Sequence, residues 1–144
     1  MAILKGSAAH ISVPVVARFS SVDEDKFTVI VRRGNDQEFE QLCEMTKSTN
    51  PNKPSDRELL DKHIVELQGL TDVEGNLING TGKLKWQPQA MQRVGDDCYS
   101  AETEEVISEM IGLHAYRAAL IDSVYAGVGN SVLFTNGRLG NLQR

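Results

Sequence analysis

Histidine is the side chain best suited to proton transfer near neutral pH, and this sequence contains three. His10, His63 and His114 fall in different predicted elements, and none has a cysteine or histidine partner at a spacing typical of zinc ligands. His63 and His114 lie in predicted amphipathic helices, where partial burial or an interface is the simpler role. The sequence therefore predicts no metal site and no histidine-based catalysis.

Carboxylates that could serve as a catalytic acid and base occur in two clusters, Asp23-Glu24-Asp25 and Asp96-Asp97. Both clusters are adjacent residues in polar segments, where carboxylates usually act as solvated caps. The sequence also contains no phosphate-binding loop, dinucleotide fingerprint or nucleophile elbow. We therefore expect no enzymatic activity and no cofactor.

The composition and net charge of the chain argue against some classes of binding partner. The chain has 144 residues, of which 40% are hydrophobic and 24% charged, values typical of one globular domain. Its net charge of −5, with Arg32-Arg33 as the only adjacent cationic pair, argues against nucleic-acid binding. No apolar run approaches the roughly 20 residues of a membrane span, and no signal-peptide core is recognised. We expect a cytoplasmic protein that binds neither nucleic acid nor membrane.

Two cysteines, Cys43 and Cys98, occupy apolar positions of predicted helices. Small buried thiols in a reducing compartment are the favoured interpretation. The sequence alone neither requires nor excludes a disulfide between Cys43 and Cys98.

The N-terminal part of the chain predicts a β-hairpin. Residues 11–19 and 26–33 are rich in Val, Ile, Phe and Thr, and the second run alternates with the two-residue period of a strand. The polar segment 20–25 is short enough to close the two runs as an antiparallel pair. Pro14 lacks an amide hydrogen, which favours an edge position for the first strand.

Helices are predicted after the hairpin. Asn35 and Glu38 form one capping pair, and Ser55 and Glu58 form a second that opens a helix through about Leu67. Residues 71–85 are expected to be irregular or a small β-turn, and Pro88 begins another helix. Ser100 is predicted to cap the last helical region. Apolar stripes are assigned to Leu59, Leu60, Ile64 and Leu67, to Ala90, Met91, Val94 and Cys98, and to Val106, Met110, Leu113 and Leu120.

These elements predict an α+β fold, in which an N-terminal antiparallel β-hairpin precedes a mainly α-helical domain with a flexible C-terminal tail. We place the domain at residues 1–128 and the tail at 129–144, because glycine and asparagine punctuate the last segment.

The order of segments resembles the tail assembly chaperones of long-tailed bacteriophages. Four segments are similar to the elements of that family: the acidic helix start 36–42 (DQEFEQL), the apolar strip and acidic turn 65–76 (VELQGLTDVEGN), the aromatic-x-Pro segment 84–91 (LKWQPQAM) and the alanine-rich helix 115–125 (AYRAALIDSVY). The resemblance covers about Val13 to Asn141. The polar insertion at 76–83 and Gln87 depart from the family pattern.

The resemblance implies binding of the tape measure protein, which the chaperone keeps soluble until tail-tube subunits polymerise around it. It also implies a longer product made by programmed frameshifting. The tail-tube protein and a second copy of the chain are further candidate partners. A client helix would lie in a groove lined by adaptable apolar side chains. We assign that groove to Met91, Met110, Leu113, Tyr116, Leu120 and Val124.

Two other functions remain open at this stage. A structural protein of the virion, such as a tail-tube, terminator or connector subunit, would also combine short strands, helices and oligomerising edges. Its location would be the virion tail rather than the host cytoplasm. A host-directed binding protein is the third class.

Overall fold

A computed structural model describes residues 9–86 and 101–129 of the chain. The fold is α+β, as predicted, with an antiparallel four-stranded sheet in the order β1-β2-β3-β4. A short 3₁₀ turn, Ile78–Gly80, lies between the last two strands. The elements are β1 (His10–Arg18), β2 (Glu24–Arg32), α1 (Asp36–Met45), α2 (Asp56–His63), β3 (Ile64–Gln68), β4 (Leu84–Lys85), α3 (Ala101–Gly112) and α4 (His114–Val128).

The predicted hairpin is confirmed. Strands β1 and β2 pair antiparallel, with Val13 opposite Val29 and Val15 opposite Phe27. These four side chains are buried on the face that the helices cover. Pro14 is exposed on β1, which lies at the edge of the sheet, so the edge position predicted from its missing amide hydrogen is also confirmed.

Both predicted capping boxes form. The Asn35 side chain accepts a 2.8 Å hydrogen bond from the Glu38 amide, and the Glu38 carboxylate accepts one from the Asn35 amide. Ser55 and Glu58 make the same reciprocal pair at the start of α2. Each box satisfies amides that the first helical turn leaves without partners, and such a cap typically contributes ~1 kcal/mol.

The prediction that the second helix continues to about Leu67 is wrong. Helix α2 ends at His63, and Ile64–Gln68 forms β3 against β2. Ile64 and Leu67 are three residues apart, a spacing that suggests one face of a helix. A bulge in the β2–β3 pairing leaves Val65 outside the register, so that Ile64 and Leu67 both face the core from a strand.

The last helical region is divided in two. Helix α3 ends at Gly112, Leu113 has an extended backbone with φ −101° and ψ 121°, and α4 starts at His114. Glycine is a poor helix former, so Gly112 is a favourable place for the helix to end. The predicted apolar stripe that ran through Leu113 is therefore divided between two helices, which Leu113 separates.

Helix α4 is the centre of the domain, because it packs against β1, β2 and the three other helices. Nine of its last ten residues are buried. Small side chains allow this close packing: a Cβ atom at Gly127 would collide with the Val31 side chain, and one at Gly34 would lie 2.6 Å from the Val128 carbonyl oxygen. The absence of a side chain at Gly127 and at Gly34 thus lets the end of α4 lie directly against the end of β2.

Part of the prediction falls outside the described residues. The helix predicted to begin at Pro88, which includes Met91 and Cys98, lies there, and so does the predicted Ser100 cap. The predicted tail lies there too, except for Gly129, which caps the end of α4. Cys43 is a free, half-buried thiol. In the two described ranges, no helix combines the length and the apolar character needed to cross a membrane.

Candidate functional site

Of the six predicted partner-binding residues, the five that the structure describes do not line one open groove. Met110, Leu120 and Val124 are buried in the core, and Leu120 and Val124 have no exposed surface at all. Leu113 is 45% exposed, and Tyr116 is half-buried beside it in the first turn of α4. Met91 lies outside the described residues. Another polypeptide can therefore reach Leu113 and Tyr116 without any opening of the core.

Tyr116 contacts the end of the β-hairpin. The Phe19 ring contacts the Tyr116 ring edge-on, with centroids 5.1 Å apart, and Phe19 is 44% exposed. Val22, in the turn that follows, is 91% exposed. We call Phe19, Val22, Leu113 and Tyr116 the tip surface. It brings exposed apolar side chains from two distant parts of the sequence to the same end of the domain.

Tyr116 fixes the tip surface to the rest of the fold. Its hydroxyl donates a 2.6 Å hydrogen bond to the Asp25 carboxylate on β2, and its ring lies 6.0 Å from that of the buried Phe27. Burial, followed by the hydrogen bond to Asp25, raises the pKa of Tyr116 well above its ordinary value. The hydroxyl therefore stays protonated, and the ring that supports Phe19 is held in one position.

A cleft of about 470 Å³ lies at the opposite end of the domain, between α1, α2, the end of β2 and the end of α4. Its apolar wall contains Leu42, Met45, Leu59 and Val128. Its volume falls in the range of roughly 300–1,000 Å³ that is usual for ligand pockets. Because β2 and α4 each run from the tip surface to the cleft, the two regions are roughly 20–25 Å apart.

The charged side chains of the cleft are mainly cationic. Arg32, Arg33 and Lys62 line it, and within the described part of the chain none of them forms an ion pair with a carboxylate. The two carboxylates at the cleft, Glu38 and Glu58, accept hydrogen bonds at the starts of α1 and α2. The cleft is therefore a local concentration of positive charge in an acidic protein.

His63 shares this environment at the end of α2. Burial, followed by repulsion from Lys62 and Arg32, lowers the pKa of His63 to about 4 from its ordinary value near 6.5. The ring is thus neutral in the folded protein at neutral pH.

We expect this shift to make folding depend on pH between about 6.5 and 4. In that window the unfolded chain protonates His63 and the folded chain does not, so the free energy of unfolding falls as the pH falls. The loss is about 1–2 kcal/mol, less than the full shift implies because the ring is only partly buried. Denaturant titrations of the wild type and His63→Gln across this window measure it. If the free energy of unfolding changed with pH in the same way for both proteins, the low pKa of His63 would be contradicted.

A second polar cluster has a structural role. Arg57 donates two hydrogen bonds to Glu104, at 2.7 and 2.6 Å, and a third to Asp61 at 2.8 Å. Asp61 also accepts a 2.8 Å hydrogen bond from the indole of the buried Trp86. The hydrogen bonds to Glu104, the leading cause, and to Asp61 raise the pKa of Arg57. This network joins α2, α3 and the end of β4.

No grouping of His, Cys, Asp and Glu suited to a metal ion occurs in residues 9–86 and 101–129. No family model, curated protein or solved structure matches the chain. The evidence on function therefore comes from the residues of the tip surface and of the cleft.

Two of the four residues of the tip surface, Leu113 and Tyr116, were named from the sequence as candidate binding residues. Leu113 and Tyr116 were assigned to the client groove that the resemblance implies, whereas Phe19 and Val22 were assigned to a hairpin and its polar turn. An apolar valine inside the turn 20–25 was the available signal. For the cleft, the signal was Arg32-Arg33, the only adjacent cationic pair.

Proposed function

We propose that this protein is a tail assembly chaperone of a long-tailed bacteriophage, which binds the tape measure protein and keeps it soluble until tail-tube subunits polymerise around it. The order of elements supports this proposal, because the hairpin leads into α1, similar to the strand and acidic helix of the family that the chain resembles. The observation that carries it is the tip surface, where the exposed Phe19 contacts Tyr116 and where Val22 and Leu113, each close in sequence to one of these two rings, are also exposed.

The chemistry of the tip surface suits a helical client. A tape measure protein presents long amphipathic helices before the tube encloses it, and exposed apolar faces of that kind aggregate. An amphipathic helix binds apolar side chains through anchors three and four residues apart. The hydrogen bond from Tyr116 to Asp25 fixes one wall of the surface before binding, which lowers the conformational entropy lost on association.

The proposed cycle needs no nucleotide. Tail-tube protein releases the client by competing for the same helices, in the host cytoplasm. The net charge of −5 disfavours association between copies of the chaperone and contact with nucleic acid.

Co-expression with the tape measure protein of the same phage tests the proposal. The wild type is expected to keep the client in the soluble fraction, and Phe19→Asp combined with Leu113→Asp is expected to move most of it to the pellet. Both side chains are about half exposed, so the variant should retain the wild-type circular dichroism and Trp86 fluorescence.

Val73→Asp is the matched control, since Val73 is a fully exposed apolar residue in the loop between β3 and β4. It should protect the client as well as the wild type does. Equal protection by the tip-surface variant would show that this surface does not bind the client. Many stoichiometric copies of the chain in purified phage particles would instead identify a structural virion protein.

A further inference from the structure

The cleft between α1 and α2 contains a guanidinium group whose hydrogen-bonding capacity is incompletely used. The Nε and Nη1 atoms of Arg33 are enclosed, and neither has a hydrogen-bond acceptor within the described residues. Enclosed polar atoms usually have a partner, because leaving a buried donor without one costs free energy that solvent would otherwise supply. Arg33 therefore points to an acceptor that residues 9–86 and 101–129 do not supply.

The described residues around Arg33 do not provide that acceptor. Arg32 and Lys62 line the same cleft and add positive charge without an ion pair of their own in the described ranges. Glu38 and Glu58 are engaged at the helix starts, where they accept hydrogen bonds from Asn35 and Ser55. An incoming anion would thus meet three cationic side chains that have no ion-pair partner among the described residues.

We propose that the cleft binds an acidic segment of another polypeptide, with one aspartate or glutamate carboxylate of that segment held by Arg33 and an adjacent apolar side chain placed against Leu42, Met45 and Leu59. A guanidinium N–H group donates a charge-assisted hydrogen bond to a carboxylate oxygen, which is stronger than a hydrogen bond between neutral groups. The apolar wall, which Val128 completes, gives the neighbouring side chain a place to be buried.

The same features disfavour a nucleic acid. Continuous phosphate binding needs an extended cationic surface, whereas this cleft is a local pocket with two carboxylates at its edge. The net charge of −5 further opposes a polyanion. A single carboxylate flanked by an apolar side chain fits the mixture of charge and apolar wall better.

His63 offers a direct report on occupancy. Burial, followed by repulsion from Lys62 and Arg32, lowers the pKa of this ring, and the other charged groups that line the cleft are Arg33, Glu38 and Glu58. A carboxylate bound among these cations offsets that repulsion. The pKa of His63 should therefore rise when the cleft is occupied.

The test uses fluorescent peptides that place one glutamate beside leucine, isoleucine or phenylalanine, together with copies that carry glutamine instead. Fluorescence anisotropy is expected to show binding of at least one glutamate peptide and at least tenfold weaker binding of its glutamine copy. Nuclear magnetic resonance of the His63 ring should show its pKa rising with the glutamate peptide only. Sodium acetate and a single-stranded oligonucleotide serve as further probes.

Arg33→Met separates a binding role from a structural one. Methionine keeps an apolar stem and removes the donors without partners, so the variant should lose peptide binding at least tenfold while its thermal midpoint stays equal or rises. Arg18→Met is the matched control, because Arg18 is an exposed arginine at the other end of β1 that pairs with Glu24. It should bind the peptide like the wild type.

Several outcomes would overturn the proposal: no binding of any glutamate peptide, equal binding of the glutamine copies, or unchanged binding by Arg33→Met. Acetate alone shifting the His63 pKa as far as the peptide does would show a simple anion site. Preferential binding of the oligonucleotide would indicate a nucleic-acid site. Since the cleft and the tip surface lie at opposite ends of α4, either proposal can fail without the other.

Discussion

Leu120→Asp is expected to abolish most of the stability of the fold, whereas Leu113→Asp leaves it nearly unchanged. Leu120 is fully buried, so the substitution removes a core side chain and places a carboxylate among apolar residues. Loss of the leucine side chain from the core costs about 2–5 kcal/mol, and burial of the carboxylate adds to that cost. We expect a total of at least about 4 kcal/mol, a large part of the 5–15 kcal/mol typical of a domain.

The comparison with Leu113 makes this a test of the structure. Leu113 is 45% exposed at the junction of α3 and α4, and a change there should alter the free energy of unfolding by no more than about 0.5 kcal/mol. Urea denaturation followed by Trp86 fluorescence measures both variants. Similar stability for the two would mean that Leu120 is not in the core, and the assignment of the binding surface to the tip would lose its basis.

Gly127→Ala is expected to destabilise the protein by about 2–3 kcal/mol, although alanine is the better helix former. The added Cβ would lie 2.5 Å from the Val31 Cβ, closer still to Val31 Cγ1, and 3.4 Å from the Arg32 carbonyl oxygen. Neither the strand nor the helix can move away easily, because α4 is packed against β1, β2 and the other helices. The cost of this overlap exceeds the gain in helix propensity.

Gly112→Ala provides the control in the same chain. Gly112 ends α3, and a Cβ atom there would meet nothing within 4 Å. The substitution should therefore be neutral or raise stability by up to about 1 kcal/mol, because it reduces the freedom of the unfolded chain. Thermal unfolding compares the two variants. A Gly127→Ala protein as stable as Gly112→Ala would contradict the close contact between α4 and β2.

The local elements were predictable where a few neighbouring residues decide the conformation. The alternation around Phe27, Val29 and Val31 predicted β2, and the pairs Asn35–Glu38 and Ser55–Glu58 predicted the starts of α1 and α2. Each of these signals acts within one strand or one helical turn. The edge position of β1 followed from a single proline for the same reason.

The third strand could not be predicted in this way. Ile64 and Leu67 have a spacing that suits a helix, and only pairing with β2 through a bulge places both on the core side of a strand. The partner strand lies more than 30 residues earlier in the chain. Local sequence holds no information on that pairing.

For the candidate sites, the sequence alone determined which residues are apolar or cationic, and the tertiary structure decided which of them are exposed. Leu113 and Leu120 belong to one predicted stripe, yet packing of α4 on the sheet buries Leu120 and leaves Leu113 at the surface. Phe19 joins Tyr116, and Arg33 joins Lys62, only through folding. The physical reason is that burial depends on contacts between segments distant in the chain, whereas propensity and capping depend on neighbours.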